Sequence, residues 1–146
     1  MSNDRVPESG ASAIDPAASG WSVYSESALT DLVGPLWQRT EDGVSRLGFV
    51  AREHHTNRRG VVHGGMLLMF ADEAIGKAAY GANDKQPQAT IQLDVQFIAP
   101  VEVGEFVEAY ATVVRRTRSL IFMAGKLLSG DKTVATASGI WKVIGR

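Results

Sequence analysis

The sequence contains no cysteine, which excludes disulfide bonds, thiolate nucleophiles and zinc sites built from cysteine. It has no marked excess of charge of one sign, because it contains 15 Lys and Arg residues and 16 Asp and Glu residues, which gives a formal net charge of -1. General attraction to nucleic acid or to an anionic membrane surface is therefore not expected. Long apolar runs are also missing, because Asp72, Glu73 and Lys77 interrupt the most apolar stretch. We expect a cytoplasmic protein with no nucleic-acid or membrane partner.

The length of 146 residues, with 45% hydrophobic residues, suits one domain with one core. The first 20 residues are rich in Ser, Ala, Pro, Gly and acidic residues and lack the apolar centre of a secretory signal. We expect a disordered N-terminal tail over residues 1–20 and a single domain over residues 21–146.

The N-terminal half of that domain predicts one short helix and one strand. Residues 26–40 place apolar side chains at helical intervals, and Gly34-Pro35 is expected to break or kink this helix. The apolar side of the helix, expected to pack on the main body, consists of Leu29, Leu32, Val33, Leu36 and Trp37. Residues 43–53 alternate in part, which indicates a strand that leads into a polar loop before His63.

Residues from Gly64 to about Tyr80 predict a long helix that is buried on most sides, because apolar side chains occupy nearly every direction around its axis. The remainder predicts strands joined by short connections, at residues 89–98, 106–116, 119–128 and 133–144. This order indicates an α+β domain in which an antiparallel sheet packs around a central helix.

The clearest strand is "ATIQLDVQFI", residues 89–98. Strict alternation predicts one apolar face and one polar face for it. The apolar face comprises Ile91, Leu93, Val95 and Phe97, and the polar face comprises Thr90, Gln92, Asp94 and Gln96.

Two adjacent acids lie in the middle of the apolar helix, and they are not equivalent. Glu73 precedes Lys77 by four residues, in the order that favours an ion pair on a helix. Asp72 has only apolar or featureless residues three and four positions away. Either it contacts solvent or a basic residue elsewhere in the chain, or it lies in a cleft as a base or nucleophile.

The glycines at the start of this helix indicate a second element of a site. Backbone N–H groups in the first turn of a helix lack intrahelical acceptors, and the helix dipole favours negative charge there. Gly64 and Gly65 let a ligand approach these groups closely. Backbone N–H groups arranged in this way can stabilise an oxyanion.

The segment "NRRGVVHGG" (57–65), followed by "MLLMFAD" (66–72) and "TIQLDVQFIAP" (90–100), resembles the hotdog-fold acyl-CoA thioesterases. The closest group is the phenylacetate-pathway and thioesterase superfamily member 2 type, within the 4-hydroxybenzoyl-CoA thioesterase superfamily. The resemblance covers about residues 28–144. It implies a long helix wrapped by a five- or six-stranded antiparallel sheet, and a homodimer with two shared active sites, often assembled into a homotetramer.

The resemblance also implies roles for individual residues. Gly64 would supply the N–H that polarises the thioester carbonyl, and His63 would position the loop. Asn57 would orient the water or the thioester. Asp72 of the partner subunit would be the general base or the nucleophile, and Thr90 would hydrogen-bond the water or the acid.

Three further residues are candidates for binding an acyl-CoA substrate. Gly65 lies beside the oxyanion donor, and Arg116 and Arg118 belong to a basic cluster near a strand end that suits the phosphates of coenzyme A. Arg58 and Arg59 are weaker candidates, and each of these arginines can equally be an ordinary solvated side chain.

No metal or other cofactor is expected. His54 and His55 with His63 could suggest a metal site, but adjacent histidines on a strand point to opposite faces and no further ligand pattern supports one.

The function implied is hydrolysis of acyl-CoA thioesters, and two alternatives share the fold. A hydratase or dehydratase would need a His paired with an acid across the site, which the loop position of His63 does not favour. A non-catalytic binder of acyl-CoA or another small ligand would keep the cleft without turnover. Met66, Met69, Phe70 and Phe97 could line an acyl pocket or simply belong to the core.

Overall fold

The computed structural model describes residues 14–145, so residues 1–13 of the expected tail lie outside the described residues. Short 3-10 turns occur at Ala17–Ser19 and Glu53–His55. The helices are α1 (Ala28–Val33) and α2 (Gly64–Ala82). The strands are β1 (Ser22–Tyr24), β2 (Leu36–Glu41), β3 (Val44–Val50), β4 (Gln88–Phe97), β5 (Phe106–Arg116), β6 (Leu120–Ser129) and β7 (Lys132–Val143).

All seven strands form one antiparallel sheet in the order β1-β2-β3-β5-β6-β7-β4, and α2 packs against it. This confirms the α+β class and the long helix wrapped by an antiparallel sheet that the hotdog resemblance implies. The strand count exceeds the expected five or six, because β1 and β2 extend the sheet beyond β3. Within residues 14–145, no helix is both long and apolar enough to cross a membrane.

The helix predicted over residues 26–40 is shorter than expected. It ends at Val33, and Gly34 is its C-cap, as the Gly-Pro break suggested. The residues that follow form β2, which pairs along its whole length with β3. Non-local pairing therefore overrides the helical spacing of Leu36 and Trp37.

The expectation that the apolar side of this helix packs on the main body is wrong for two of its leucines. Leu29 is 52% exposed and Leu32 is 75% exposed, whereas Val33 packs against the core. The helix has only six residues, so it is too short to lay all of its apolar side chains on the sheet.

Glycines let the sheet approach α2 closely. A Cβ atom on Gly125 would lie 2.8 Å from Cδ1 of Ile75, a fully buried side chain of α2. A Cβ on Gly76 of α2 would lie 3.1 Å from Nε1 of the buried Trp141 of β7. The sequence predicted that α2 is buried on most sides, but Leu68 and Tyr80 are exposed. The buried residues of α2 are Met66, Leu67, Phe70, Ala71, Ala74, Ile75 and Ala79.

A β-bulge in β4 changes the face to which Thr90 belongs. Thr90 pairs with Trp141 and Gln92 with Ile140, so Ile91 is an extra residue in β4. Because one extra residue reverses the alternation, Thr90 points to the α2 side of the sheet rather than sharing a face with Gln92. The strict alternation predicted for this strand is therefore wrong at its N-terminal end.

Candidate functional site

Asp72 and Thr90 meet in a cleft of about 400 Å³ beside α2. The Thr90 hydroxyl donates to Oδ1 of Asp72 over 2.7 Å. The half-buried carboxylate is otherwise surrounded by the apolar side chains of Leu68, Met69 and Leu93. No ion pair among residues 14–145 includes Asp72, so the alternative of a basic partner is not realised in the described part of the chain.

The neighbouring acid has a different role from the one predicted. Glu73 accepts a hydrogen bond from the Tyr24 hydroxyl over 2.8 Å, and the Lys77 ammonium lies 4.9 Å from the centre of the Tyr24 ring. No Glu73–Lys77 ion pair occurs within residues 14–145, because the Tyr24 ring from β1 occupies this position instead. Burial and the Glu73 carboxylate raise the pKa of Tyr24. The hydrogen bond between Tyr24 and Glu73 therefore links β1 to α2.

The first turn of α2 leaves one N–H group available. Nδ1 of the N-cap residue His63 accepts from the Gly65 N–H over 2.7 Å, and the N–H groups of Met66 and Leu67 donate to the His63 carbonyl. A Cβ on Gly65 would lie 2.9 Å from His63 Nδ1, so this cap requires a glycine. Within residues 14–145, the Gly64 N–H has no acceptor.

The loop before α2 brings Asn57 to the same cleft as Gly64, which has a volume of about 400 Å³. Oδ1 of Asn57 accepts from the Arg59 N–H over 2.8 Å, and the Asn57 N–H donates to the Val61 carbonyl. These bonds hold the loop in a compact turn. Arg58 and Arg59 line an adjoining polar cleft together with Asn57.

The candidate residues therefore form two separate groups, called here the Gly64 half-site and the Asp72 half-site. One joins Asn57 and Gly64, and the other joins Asp72 and Thr90. Gly64 and Asp72 are eight residues apart on one helix, a separation of about 12 Å along its axis. They are too far apart to contact the same thioester carbonyl within one protomer.

Arg116 and Arg118 do not lie near the Gly64 half-site of their own protomer. The Arg116 guanidinium donates to the Ala82 carbonyl over 2.9 Å and to Oδ2 of Asp84 over 2.8 Å. It thus caps the far end of α2, about 27 Å along the helix from Gly64. Arg118 follows in the turn between β5 and β6. Their role in substrate binding stays a prediction.

The importance of His55 was missed in the sequence. Its Nδ1 accepts from the Arg52 N–H over 2.9 Å, so Nε2 carries the proton and donates to the Val33 carbonyl at the end of α1. The ring is only 4% exposed and packs edge-on against Phe49. Burial lowers the pKa of His55 and outweighs the hydrogen bond to Val33, which favours the charged form.

The argument against a metal site took His54 and His55 to be adjacent strand residues, and this is wrong, because both lie in a 3-10 turn. Their rings lie 4.0 Å apart rather than on opposite faces. Among residues 14–145 there is no group of three or more His, Asp or Glu side chains that could hold a metal ion.

Comparison with known proteins identifies the family. The model of the thioesterase superfamily matches residues 59–136, which include α2 and most of the sheet. A Pseudomonas aeruginosa protein named "Putative esterase PA0474" is 34% identical over 122 residues, covering 82% of this chain and 90% of its own. Mouse acyl-coenzyme A thioesterase 13 is 24% identical over 87 residues, covering 60% of this chain and 62% of its own.

A solved structure supports the same conclusion. The crystal structure of a "phenylacetic acid degradation-related protein" from Ralstonia eutropha JMP134 is similar, with a TM-score of 0.72 and 27% identity, over 82% of this chain and 92% of that one. The resemblance seen in the sequence is thereby confirmed. The chain belongs to the thioesterase superfamily, a family of enzymes that hydrolyse thioesters.

Proposed function

We propose that this protein hydrolyses acyl-CoA thioesters to a free acid and coenzyme A, with Asp72 as the reacting carboxylate. The observation that carries the proposal is the environment of Asp72, a half-buried acid in an apolar cleft that is held by the Thr90 hydroxyl and by no cation of residues 14–145. A structural acid on a helix is normally paired or solvated. A carboxylate oriented in a cleft is suited to acid–base or nucleophilic chemistry.

The remaining groups fit the same reaction. The Gly64 N–H, at the positive end of the α2 dipole, would hold the oxygen of the thioester carbonyl as it becomes negative. Asn57 beside it would orient the thioester or the water, while His63 fixes this turn through its bond to Gly65.

Two routes use these groups. In the first, Asp72 takes a proton from water, the hydroxide adds to the acyl carbon, and the carbon–sulfur bond breaks to release the coenzyme A thiolate. In the second, an Asp72 oxygen adds to the acyl carbon, the thiolate leaves, and water cleaves the resulting mixed anhydride. A single turnover in ¹⁸O-labelled water tests for the second route, because label enters the Asp72 carboxylate only when water opens a mixed anhydride at the Asp72 carbonyl carbon.

The site is completed by a second copy of the chain. One protomer separates Gly64 from Asp72 by about 12 Å, so the Gly64 half-site of one protomer would face the Asp72 half-site of its partner. Strand β4 lies at the edge of the sheet, and its Ile91 and Phe97 are more than half exposed. An apolar edge strand of this kind is suited to pairing with another chain. We infer a homodimer with two shared sites; a tetramer and a cytoplasmic location stay predictions.

The coenzyme A portion would lie along the loop that carries Asn57. Arg58 and Arg59 are exposed beside the Gly64 half-site, and a guanidinium suits a phosphate group. These two residues are better placed than Arg116 and Arg118 to hold the phosphates of a substrate bound at Gly64 of the same protomer.

The experiment that tests the proposal compares Asp72→Asn with Glu73→Gln. Both changes remove one carboxylate charge from adjacent positions, but only Asp72 lies in the cleft with Thr90. Steady-state thiol release is measured with a panel of acyl-CoA thioesters. We expect Asp72→Asn to lower kcat by at least about a hundredfold, and Glu73→Gln to retain activity.

Circular dichroism and size-exclusion chromatography of both variants provide the control for folding. If Asp72→Asn keeps wild-type turnover, the assignment of Asp72 is wrong. If the wild type hydrolyses no thioester but still binds acyl-CoA, the protein is a binding module.

A further inference from the structure

Another cleft, of about 460 Å³, lies between α1 and the N-terminal half of α2. Its apolar walls are Leu29 and Val33 of α1 and Met66 and Met69 of α2. It shares Met69 and Gly65 with the cleft that holds Asp72. The two clefts therefore adjoin, and together they are called here the α1 groove, which begins at the Asp72 carboxylate and ends against α1.

The floor of the α1 groove is a stripe of α2. Met69 is three residues from both Met66 and Asp72, so it neighbours each of them on the helix surface and the three side chains form an oblique row. Methionine side chains are flexible and polarisable, and they adapt to apolar ligands of different shape. A ligand whose reacting carbon lies at Asp72 would extend over Met69 toward Met66.

The wall formed by α1 is open to a ligand. Leu29 lines the groove but is 52% exposed, so its apolar surface is not covered by the rest of the protomer. At the outer end, His54 and Thr56 replace apolar side chains in the lining. An exposed apolar wall that runs from a reacting acid to a polar end is suited to a short apolar ligand.

We infer that the α1 groove binds the acyl group of the substrate and selects apolar acyl groups of medium size, straight or aromatic. This inference rests on the proposed acyl-CoA thioesterase function. From Asp72 to Met66 the stripe rises about 9 Å, which accommodates roughly seven carbons of an extended chain with bonds of about 1.5 Å. Acetyl groups leave the groove empty, and long chains extend past His54 and Thr56 into water.

The test replaces one of two leucines on α1 with tryptophan. Leu29→Trp fills the groove, whereas Leu32→Trp adds the same ring to the same helix outside the groove lining, at a position that is 75% exposed. Neither leucine belongs to the buried core. The values of kcat/KM are measured for acetyl-CoA, octanoyl-CoA and palmitoyl-CoA.

We expect the wild type to prefer octanoyl-CoA. We expect Leu29→Trp to lower the octanoyl-to-acetyl ratio of kcat/KM by at least about tenfold, because several methylene groups lose their apolar contacts. Leu32→Trp should leave that ratio unchanged. As a second variant, Met69→Ala removes apolar contacts from the floor of the groove and should also lower the octanoyl-to-acetyl ratio of kcat/KM.

The outcomes separate this inference from the proposed function. If the wild type hydrolyses these thioesters but both tryptophan variants keep its chain-length preference, the acyl group lies elsewhere and the inference is overturned. An equal loss of activity on all chain lengths in Leu29→Trp also overturns it. If the wild type hydrolyses none of the thioesters, the proposed function itself fails.

Discussion

The Gly64 N–H can be removed with little change to the backbone, which gives a direct test of the oxyanion site. Gly64 is the first residue of α2, a position where proline is favoured because its missing N–H has no intrahelical acceptor. His63 has φ -61° and ψ 136°, an extended conformation that a following proline accepts. Gly64→Pro should therefore fold normally.

The expected loss of activity follows from the hydrogen bond that disappears. Removal of one oxyanion donor costs about a hundred- to a thousandfold in kcat, or about 2.7–4 kcal/mol of transition-state stabilisation. The proline ring also occupies the position that the carbonyl oxygen would approach, so this loss is a minimum.

The matched control is Gly64→Ala, which keeps the N–H. Both substitutions add a Cβ that would lie 3.3 Å from the ring of Phe97, a side chain that is 56% exposed and can shift slightly. Thiol release from octanoyl-CoA is measured for both variants, with the thermal midpoint as a check on folding. A folded Gly64→Pro variant that keeps kcat within tenfold of Gly64→Ala would refute the role assigned to this N–H.

Three further predictions follow from the structure. Gly64→Pro and Asp72→Asn should each be inactive alone, but their mixture should recover roughly a quarter of the wild-type activity, because half of the randomly paired dimers are mixed and one of the two sites in each mixed dimer is intact. No recovery in an activity assay would mean that the sites are not shared. Tyr24→Phe should lower the free energy of unfolding by about 1–2 kcal/mol, measured by urea denaturation, because Glu73 loses its hydrogen-bond donor; an unchanged midpoint would contradict this contact. Burial lowers the pKa of His55, so below about pH 6.5 the unfolded chain binds a proton that the folded protein does not. The free energy of unfolding should fall as the pH drops from about 6.5 toward the folded-state pKa of His55, and His55→Gln should show a smaller fall in urea titrations at pH 7.5 and 5.5.

The contact between β1 and α2 through Tyr24 shows why part of the structure could not be predicted. The spacing of Glu73 and Lys77 correctly describes a favourable pair on an isolated helix. In the folded protein the buried Tyr24 donates its hydroxyl to Glu73, and its ring lies beside the Lys77 ammonium. Tyr24 is 49 residues away in the sequence from Glu73, and no local pattern reports such a contact.

The bulge in β4 is a second feature that local sequence patterns did not predict. Alternation over residues 89–98 assigned Thr90 to the face opposite Leu93, although the resemblance implied that Thr90 contacts the acid or its water. The extra residue Ile91 resolves this conflict, since it turns Thr90 toward Asp72. A bulge depends on how β4 pairs with β7, and such pairing is decided by the whole sheet.

The sequence by itself determined the long helix and the four strands that follow it, because the periodicity of these segments agrees with their tertiary packing; it also marked Asp72 as an acid without a partner on its own helix and Gly64 as the start of that helix. Only the tertiary structure decided that β1 and β2 extend the sheet, that Thr90 meets Asp72, and that Gly64 and Asp72 line separate clefts. These features arise from contacts between residues that are distant in sequence, whose free energies depend on which surfaces the completed sheet brings together.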